Sequence, residues 1–254
     1  MHEAACDITS FAWLEHESVG HPSGHEQALI LFRDNVVQPS LRALSGQLEG
    51  LRASDDPSMV FLVGDLEDLL DGAIEGYALN VQSMWERGLR GMLAARERKL
   101  NAGVKVEAIL RATWGGKGSE LQGHFHRLMG LPLHSFQSYS DLDLLQSLGS
   151  AIRHGDGGAA RRVHDLCPSL WPTWAQEEDL FEVGRPASPP SFDSVKLSES
   201  MLAQMIQSVL WFWEDIEHVR CNSFRRKHES VVAKIATWIL DLPQRPGQRL
   251  WTPA

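Results

Sequence analysis

From Pro57-Ser58 to about Asn101 the apolar residues fall at helical spacing, and no other stretch of the chain limits the fold so strongly. The first half of this segment is acidic (Asp65, Glu67, Asp68, Asp71, Glu75). Its last turns are basic (Arg90, Arg96, Arg98, Lys99). That order places carboxylates near the positive end of a helix dipole and cations near the negative end. One long helix is therefore predicted, with Ala102-Gly103 as its stop and Arg96–Lys99 as a solvated helix end.

The remaining segments are also read as helical. Leu29, Phe32, Val36 and Val37, then Leu41, Leu44, Leu48 and Leu51, recur at helical spacing on either side of Pro39. Proline removes a backbone donor and crowds the preceding turn, so a kinked helix or two short ones are predicted there. Short helices are expected over Val104–Thr113 and Ser119 to about Met129. Two more are expected from Asp141, read as an N-cap, to Arg153, and from Gly158 to about Leu166. Ser198 is read as the cap of a helix whose Leu202, Met205, Ile206, Val209, Trp213, Ile216 and Val219 share one face. A last helix is expected over about Glu229–Leu240. No stretch shows strand alternation, so the expected fold is all-α, an up-and-down helical bundle. Residues 1–56 are read as an N-terminal arm and helical extension. Residues 57–254 are read as the bundle, interrupted by a Pro/Ser-rich loop near 172–196.

With 254 residues, 43% hydrophobic and 22% charged, the chain can bury a core. A net charge of -9 argues against a surface that grips nucleic acid everywhere, though not against a local basic patch. Three scattered cysteines, Cys6, Cys167 and Cys221, form no C-x-x-C and point to a reducing, cytoplasmic setting. The N-terminus lacks a basic region followed by an apolar stretch, and no apolar run is long enough to span a bilayer, so no membrane association is expected. The cluster Trp211, Trp213 and Trp238 reads as packing rather than as a base-stacking surface. His16, His21 and His25 stand near Glu15, Glu17 and Glu26, but Gly20, Pro22 and Gly24 break the run, so no metal site is read there. His124 and His126 are two apart and would diverge on a helix. No cofactor is expected.

The segment with the most chemistry is Ser150-Ala151-Ile152-Arg153-His154-Gly155-Asp156-Gly157. An amphipathic helix delivers an arginine and a histidine, and glycines then end it. Taken alone, this is a well-made helix C-terminus, with cations at the negative dipole end and a glycine able to turn left-handed.

The segment also resembles the signature helix of HEPN domains, helical modules of prokaryotic toxin and phage-defence systems. The long helix with Tyr77, Trp85-Glu86-Arg87 and Leu89, and the late helix over Leu202–Val219, resemble the family's surroundings for that motif. The resemblance extends over roughly 57–240, but its specific part is the dozen residues around His154. It implies a metal-independent ribonuclease. In that chemistry a histidine moves a proton at the ribose 2′-hydroxyl or the leaving oxygen, and an arginine holds the phosphate. His154 matches the family histidine and Ser150 the polar position, whereas the arginine position falls on Gly149. Arg127 and His134 also fit the family's loose spacing, but Gly130 and Pro132 lie between them. Either Arg153, helped by Arg161 or Arg162, supplies the cation, or the module docks without catalysis. Asp156, with Ser150, Arg161 and Arg162, is placed around the substrate. The resemblance further implies a homodimer pairing the motif helices, RNA as substrate, and a partner protein or antitoxin.

Overall fold

The computed structural model describes residues 6–14, 22–54, 56–101, 106–115, 117–171 and 191–252. Among these, every regular element is helical and no strand occurs. In chain order they are α1 (Ser23–Phe32), α2 (Gln38–Arg52), α3 (Met59–Leu100), α4 (Glu107–Arg111), α5 (Leu121–Met129), α6 (Tyr139–His154), α7 (Gly158–Leu166), α8 (Glu199–Asn222) and α9 (Glu229–Asp241). The long periodic segment thus forms one 42-residue helix. A five-residue π turn, Arg33–Val37, precedes Pro39, which sits in the first turn of α2, where its missing N–H costs least. The expected cap on α8 is present: the Ser198 hydroxyl accepts the Met201 N–H at 3.1 Å. No described helix is long and apolar enough to cross a membrane.

The contacts divide the chain into two units interleaved in sequence. The first comprises Met1–Ile30, Ser83–Leu142 and Ile206–Arg249. Its core centres on Phe212, whose ring meets Trp85 at 5.9 Å, Phe125 at 6.3 Å, Phe136 at 5.2 Å and Trp213 at 5.0 Å. Edge-on and tilted geometries dominate, as the ring quadrupole favours. Trp211, Trp213 and Trp238 are all buried, consistent with packing. Arg90 donates to the carbonyls of Ile109 and Ala112 at the C-terminal end of α4.

The second unit comprises Leu31–Gln82, Asp143–Met205 and Leu250–Ala254. Buried Leu41 and Leu48 of α2, Leu66, Ile74 and Val81 of α3, and Leu145 and Leu148 of α6 supply its core, with Val163, Met201 and Met205. Arg52 pairs with Glu67 at 2.5 Å, Ser45 bonds Glu199 at 2.9 Å, and Lys196 pairs with Asp71.

Several local expectations are corrected. Arg96 and Glu97 are buried, not solvated. Arg96 donates to the Leu128 carbonyl at 2.6 Å, and Glu97 pairs with Arg127 at 2.7 Å. A basic helix end can bury its cations when another helix offers unsatisfied carbonyls. Asp141 is not an N-cap: it lies inside the first turn of α6, buried, and accepts from Ser208 at 2.5 Å and Arg249 at 2.6 Å. Of the expected loop at 172–196, residues 172–190 lie outside the described residues, and Phe192–Ser194 forms a 3-10 turn.

Candidate functional site at the end of helix α6

Everything in this site belongs to the second unit. Helix α6 ends at His154, with Arg153 and His154 in its last turn. Gly155 takes φ +66°, and its N–H closes on the Ala151 carbonyl at 2.7 Å. Gly157 takes φ +151° and begins α7. Both values lie where L side chains are strained, so the two glycines let α6 stop and α7 start within three residues.

Arg153 and His154 are both exposed. On a helix their side chains leave about 100° apart. Gly149 lies one turn before Arg153 on the same face. An ideal Cβ at Gly149 would stand 2.7 Å from Gln82 Cγ and 2.9 Å from its Cδ, so Gln82 fills the space a side chain would need. Gln82 is fully buried and donates to Gln146 Oε1 at 2.8 Å, while its own Oε1 accepts from the Arg153 guanidinium. Helical side chains lean toward the N-terminus, which carries the Arg153 guanidinium back over the Gly149 face. A side chain at 149 would have to displace Gln82, whereas Arg153 brings a cation to that face from the next turn.

Two other residues of the predicted set are held by structural contacts. The Asp156 carboxylate accepts the Phe192 N–H at 2.6 Å and the Ser191 hydroxyl at 3.2 Å, fastening the glycine turn to the segment before α8. Arg162 pairs with buried Asp143 at 2.6 Å. Arg161 is exposed, with a 3.5 Å contact to the Gly157 carbonyl. Ser150 is half-buried in α6. The arrangement therefore offers an oriented guanidinium and an exposed imidazole at a helix C-terminus, with a further mobile-length cation in Arg161. It can bind a phosphate and move one proton.

Sequence reasoning missed Gln82, the residue that orients Arg153. Its signal was a glutamine directly after buried Val81, but its two partners on α6 lie far away in sequence.

The alternative pair separates: α5 ends at Gly130 with φ +73°, His134 sits in a 3-10 turn, and Arg127 is paired with Glu97. Of the N-terminal histidines, His16 and His21 lie outside the described residues, and His25 stacks on Trp213 at 4.6 Å. Among the described residues no group of three or more His, Cys, Asp and Glu is placed to hold a metal ion.

Gly149 gives a direct check of this packing. Gly→Ala inside a helix gains up to about 1 kcal/mol from propensity, whereas overpacking a filled site costs about 1–3 kcal/mol. Gly149→Ala is expected to be net destabilising in urea denaturation. A stabilised variant would mean that Gln82 does not occupy this space.

Comparison of the chain with protein-family models, curated proteins and solved structures gives no match.

Proposed function

We propose that this chain is a HEPN-like helical component of a prokaryotic defence or toxin–antitoxin system that cleaves RNA without a metal. The observation that carries the reading is the Arg153 guanidinium, fixed by Gln82 over the face of Gly149 and adjacent in sequence to the exposed His154. A cation on that face is what the family's missing arginine would have supplied. His154 takes the proton from a ribose 2′-hydroxyl or gives one to the departing 5′-oxygen. The 2′-oxygen attacks phosphorus, the 5′-oxygen leaves, and a 2′,3′-cyclic phosphate results. Arg153, with Arg161 beside the turn, neutralises the phosphate as charge builds on it. One imidazole serves one of the two proton transfers, and a homodimer pairing α6 with its copy would provide the other.

A non-catalytic docking module of the same kind of complex is the second reading. It is favoured by the engagement of Asp156 and Arg162 in structural contacts and by the bond that ties Arg153 to Gln82.

The test is incubation of purified full-length protein with an RNA pool in EDTA, comparing wild type with His154→Ala. Cleavage lost in the variant supports the first reading, and an inactive wild type freed of any partner protein supports the second. Sedimentation is expected to show a dimer at micromolar concentration. A monomer at high micromolar concentration would remove the source of the second proton-transfer group.

A further inference from the structure

The first turns of α3 carry apolar side chains that the fold does not cover. Phe61 is 84% exposed and Val60 70% exposed, and Leu62 and Leu69 also stand in solvent. All four belong to the second unit. Phe61, Leu62 and Leu69 leave the helix on the side away from buried Ile74 and Val81. A single exposed leucine is ordinary, whereas a row of large apolar side chains along one side of a helix marks a contact surface. From Leu62 this side continues through Leu69, Gly72, Gly76 and Leu79, at spacings of seven, three, four and three. That is the heptad seam along which a second helix packs.

The two glycines of the seam have no role within the chain. A Cβ added at Gly72 or Gly76 would meet nothing within 4 Å, and neither residue takes a positive φ. Crowding and backbone strain therefore do not require them, and glycine is the poorest helix former after proline. What two bare turns supply is a flat strip on which another backbone can lie close. The charge around the strip is one-sided. Residues 59–81 hold five carboxylates and no lysine or arginine. Arg52 and Lys196 pair with Glu67 and Asp71, while exposed Asp65 and Asp68, on the seam side, form no ion pair among the described residues. Burial pushes the Glu75 carboxyl up, and Asp71 and Asp193 push it further against the pull of Lys196, so the carboxylates share one field.

We propose that this face of α3 docks a basic amphipathic helix of a partner protein. The partner's apolar seam lies on Phe61, Leu62 and Leu69, its backbone over Gly72 and Gly76, and its flanking cations toward Asp65 and Asp68. A second copy of the same face would bring like charges together, and an anionic lipid surface or RNA is repelled by the same field. This docking does not rest on RNA cleavage at α6, and its test reads binding alone.

The experiment is fluorescence anisotropy of a labelled synthetic peptide titrated with the full chain. The peptide is a helix of about three heptads, with leucine at the seam positions and lysine beside them. It is expected to bind with a Kd below about 100 µM. The same peptide with glutamate for lysine, and the same residues in scrambled order, should each bind at least about tenfold more weakly. Phe61→Ser, Leu69→Ser and Asp65→Asn/Asp68→Asn should each weaken binding by about tenfold, the last also reducing its salt dependence. Gly72→Gln places a side chain in open space, so it should keep or raise the melting temperature while weakening the peptide by about tenfold. Circular dichroism checks that each variant is folded. The proposal is overturned if the lysine peptide binds more weakly than about 100 µM, or if the glutamate or scrambled peptide binds as well. It is also overturned if folded Phe61→Ser and Gly72→Gln bind as wild type does. Sedimentation in which Phe61→Ser turns a dimer into a monomer would overturn it too, because a second copy would then occupy the face.

Discussion

Replacing His154 with alanine is expected to lower metal-free RNA cleavage by about 10²–10⁴-fold, the usual worth of a positioned acid or base. Folding should be unaffected, because the side chain is exposed and makes no described contact. Activity and stability therefore separate at this residue. At Arg153 they should not. Arg153→Ala removes the phosphate's electrostatic partner and also a hydrogen bond to the buried Gln82. A lost intramolecular hydrogen bond costs about 0.5–1.5 kcal/mol, so this variant should lose both rate and some melting temperature. Arg153→Lys keeps the charge but cannot both bond Gln82 and hold a phosphate through a planar fork, so it should recover little activity. Loss of cleavage in His154→Ala with an unchanged melting temperature is the pattern expected of a proton-transfer group. Equal cleavage by wild type and His154→Ala, both in EDTA, would remove this residue from the chemistry and leave the docking reading.

What could be read ahead of the structure follows a physical division. Features set by neighbours within a few residues were legible. The charge order of α3, the Ser198 cap, the irregularity before Pro39 and the glycine stop after His154 all arise from local backbone chemistry. Features set by distant partners were not. Arg96 looks like any basic residue at a helix end until the Leu128 carbonyl meets it. Asp141 has the residue type and position of an N-cap, yet Ser208 and Arg249 claim its carboxylate. At the site itself, Arg153, His154 and Gly149 could be named from sequence. Whether Arg153 could stand in for an arginine at 149 depended on Gln82, 71 residues away.

One long-range pair did leave a trace. Asp215 lies on the apolar face of α8 between Phe212 and Ile216, where a carboxylate is out of place. It is fully buried, and its Oδ1 accepts from Arg245 at 2.6 Å and from Trp238 at 3.0 Å. Arg245, also buried, sits in the proline-rich turn after α9, which has no helical periodicity to mark it as core. The misplaced carboxylate is visible in the sequence, whereas the partner that makes it tolerable is not.

Arg245→Met should therefore be strongly destabilising, and its effect should depend on pH. Removing one member of a buried ion pair costs about 3–5 kcal/mol, because the other charge stays buried without compensation. For a chain of this size that lowers the melting temperature by roughly 6–20 °C. Burial pushes the Asp215 carboxyl up, to about 7 from its ordinary 3.8, against the pull of Arg245 and Trp238. The folded state then holds a proton between about pH 4 and 7 that the unfolded chain has released. Through that window this group's contribution to stability falls as pH rises. Without Arg245 the carboxyl rises further, so the window extends above pH 7. His218 acts with the opposite sign. Its ring is held down to about 4, so stability from this group is lost as pH falls from about 6.5 toward 4. Arg245 also holds down the His218 ring and the Glu214 carboxyl, so the share of Asp215 in the difference between variant and wild type is read from the Asp215→Asn background. That difference should be larger at pH 8 than at pH 5, where Asp215 is protonated in both, by about 1.4 kcal/mol, one pH unit above a carboxyl at about 7. Adding Asp215→Asn should remove the pH-dependent part of the loss, since the amide oxygen still accepts from Trp238 and carries no charge. A deficit equal at pH 5 and pH 8, and untouched by Asp215→Asn, would mean that Arg245 acts by packing against Trp211 and Trp238 rather than by neutralising the buried carboxylate.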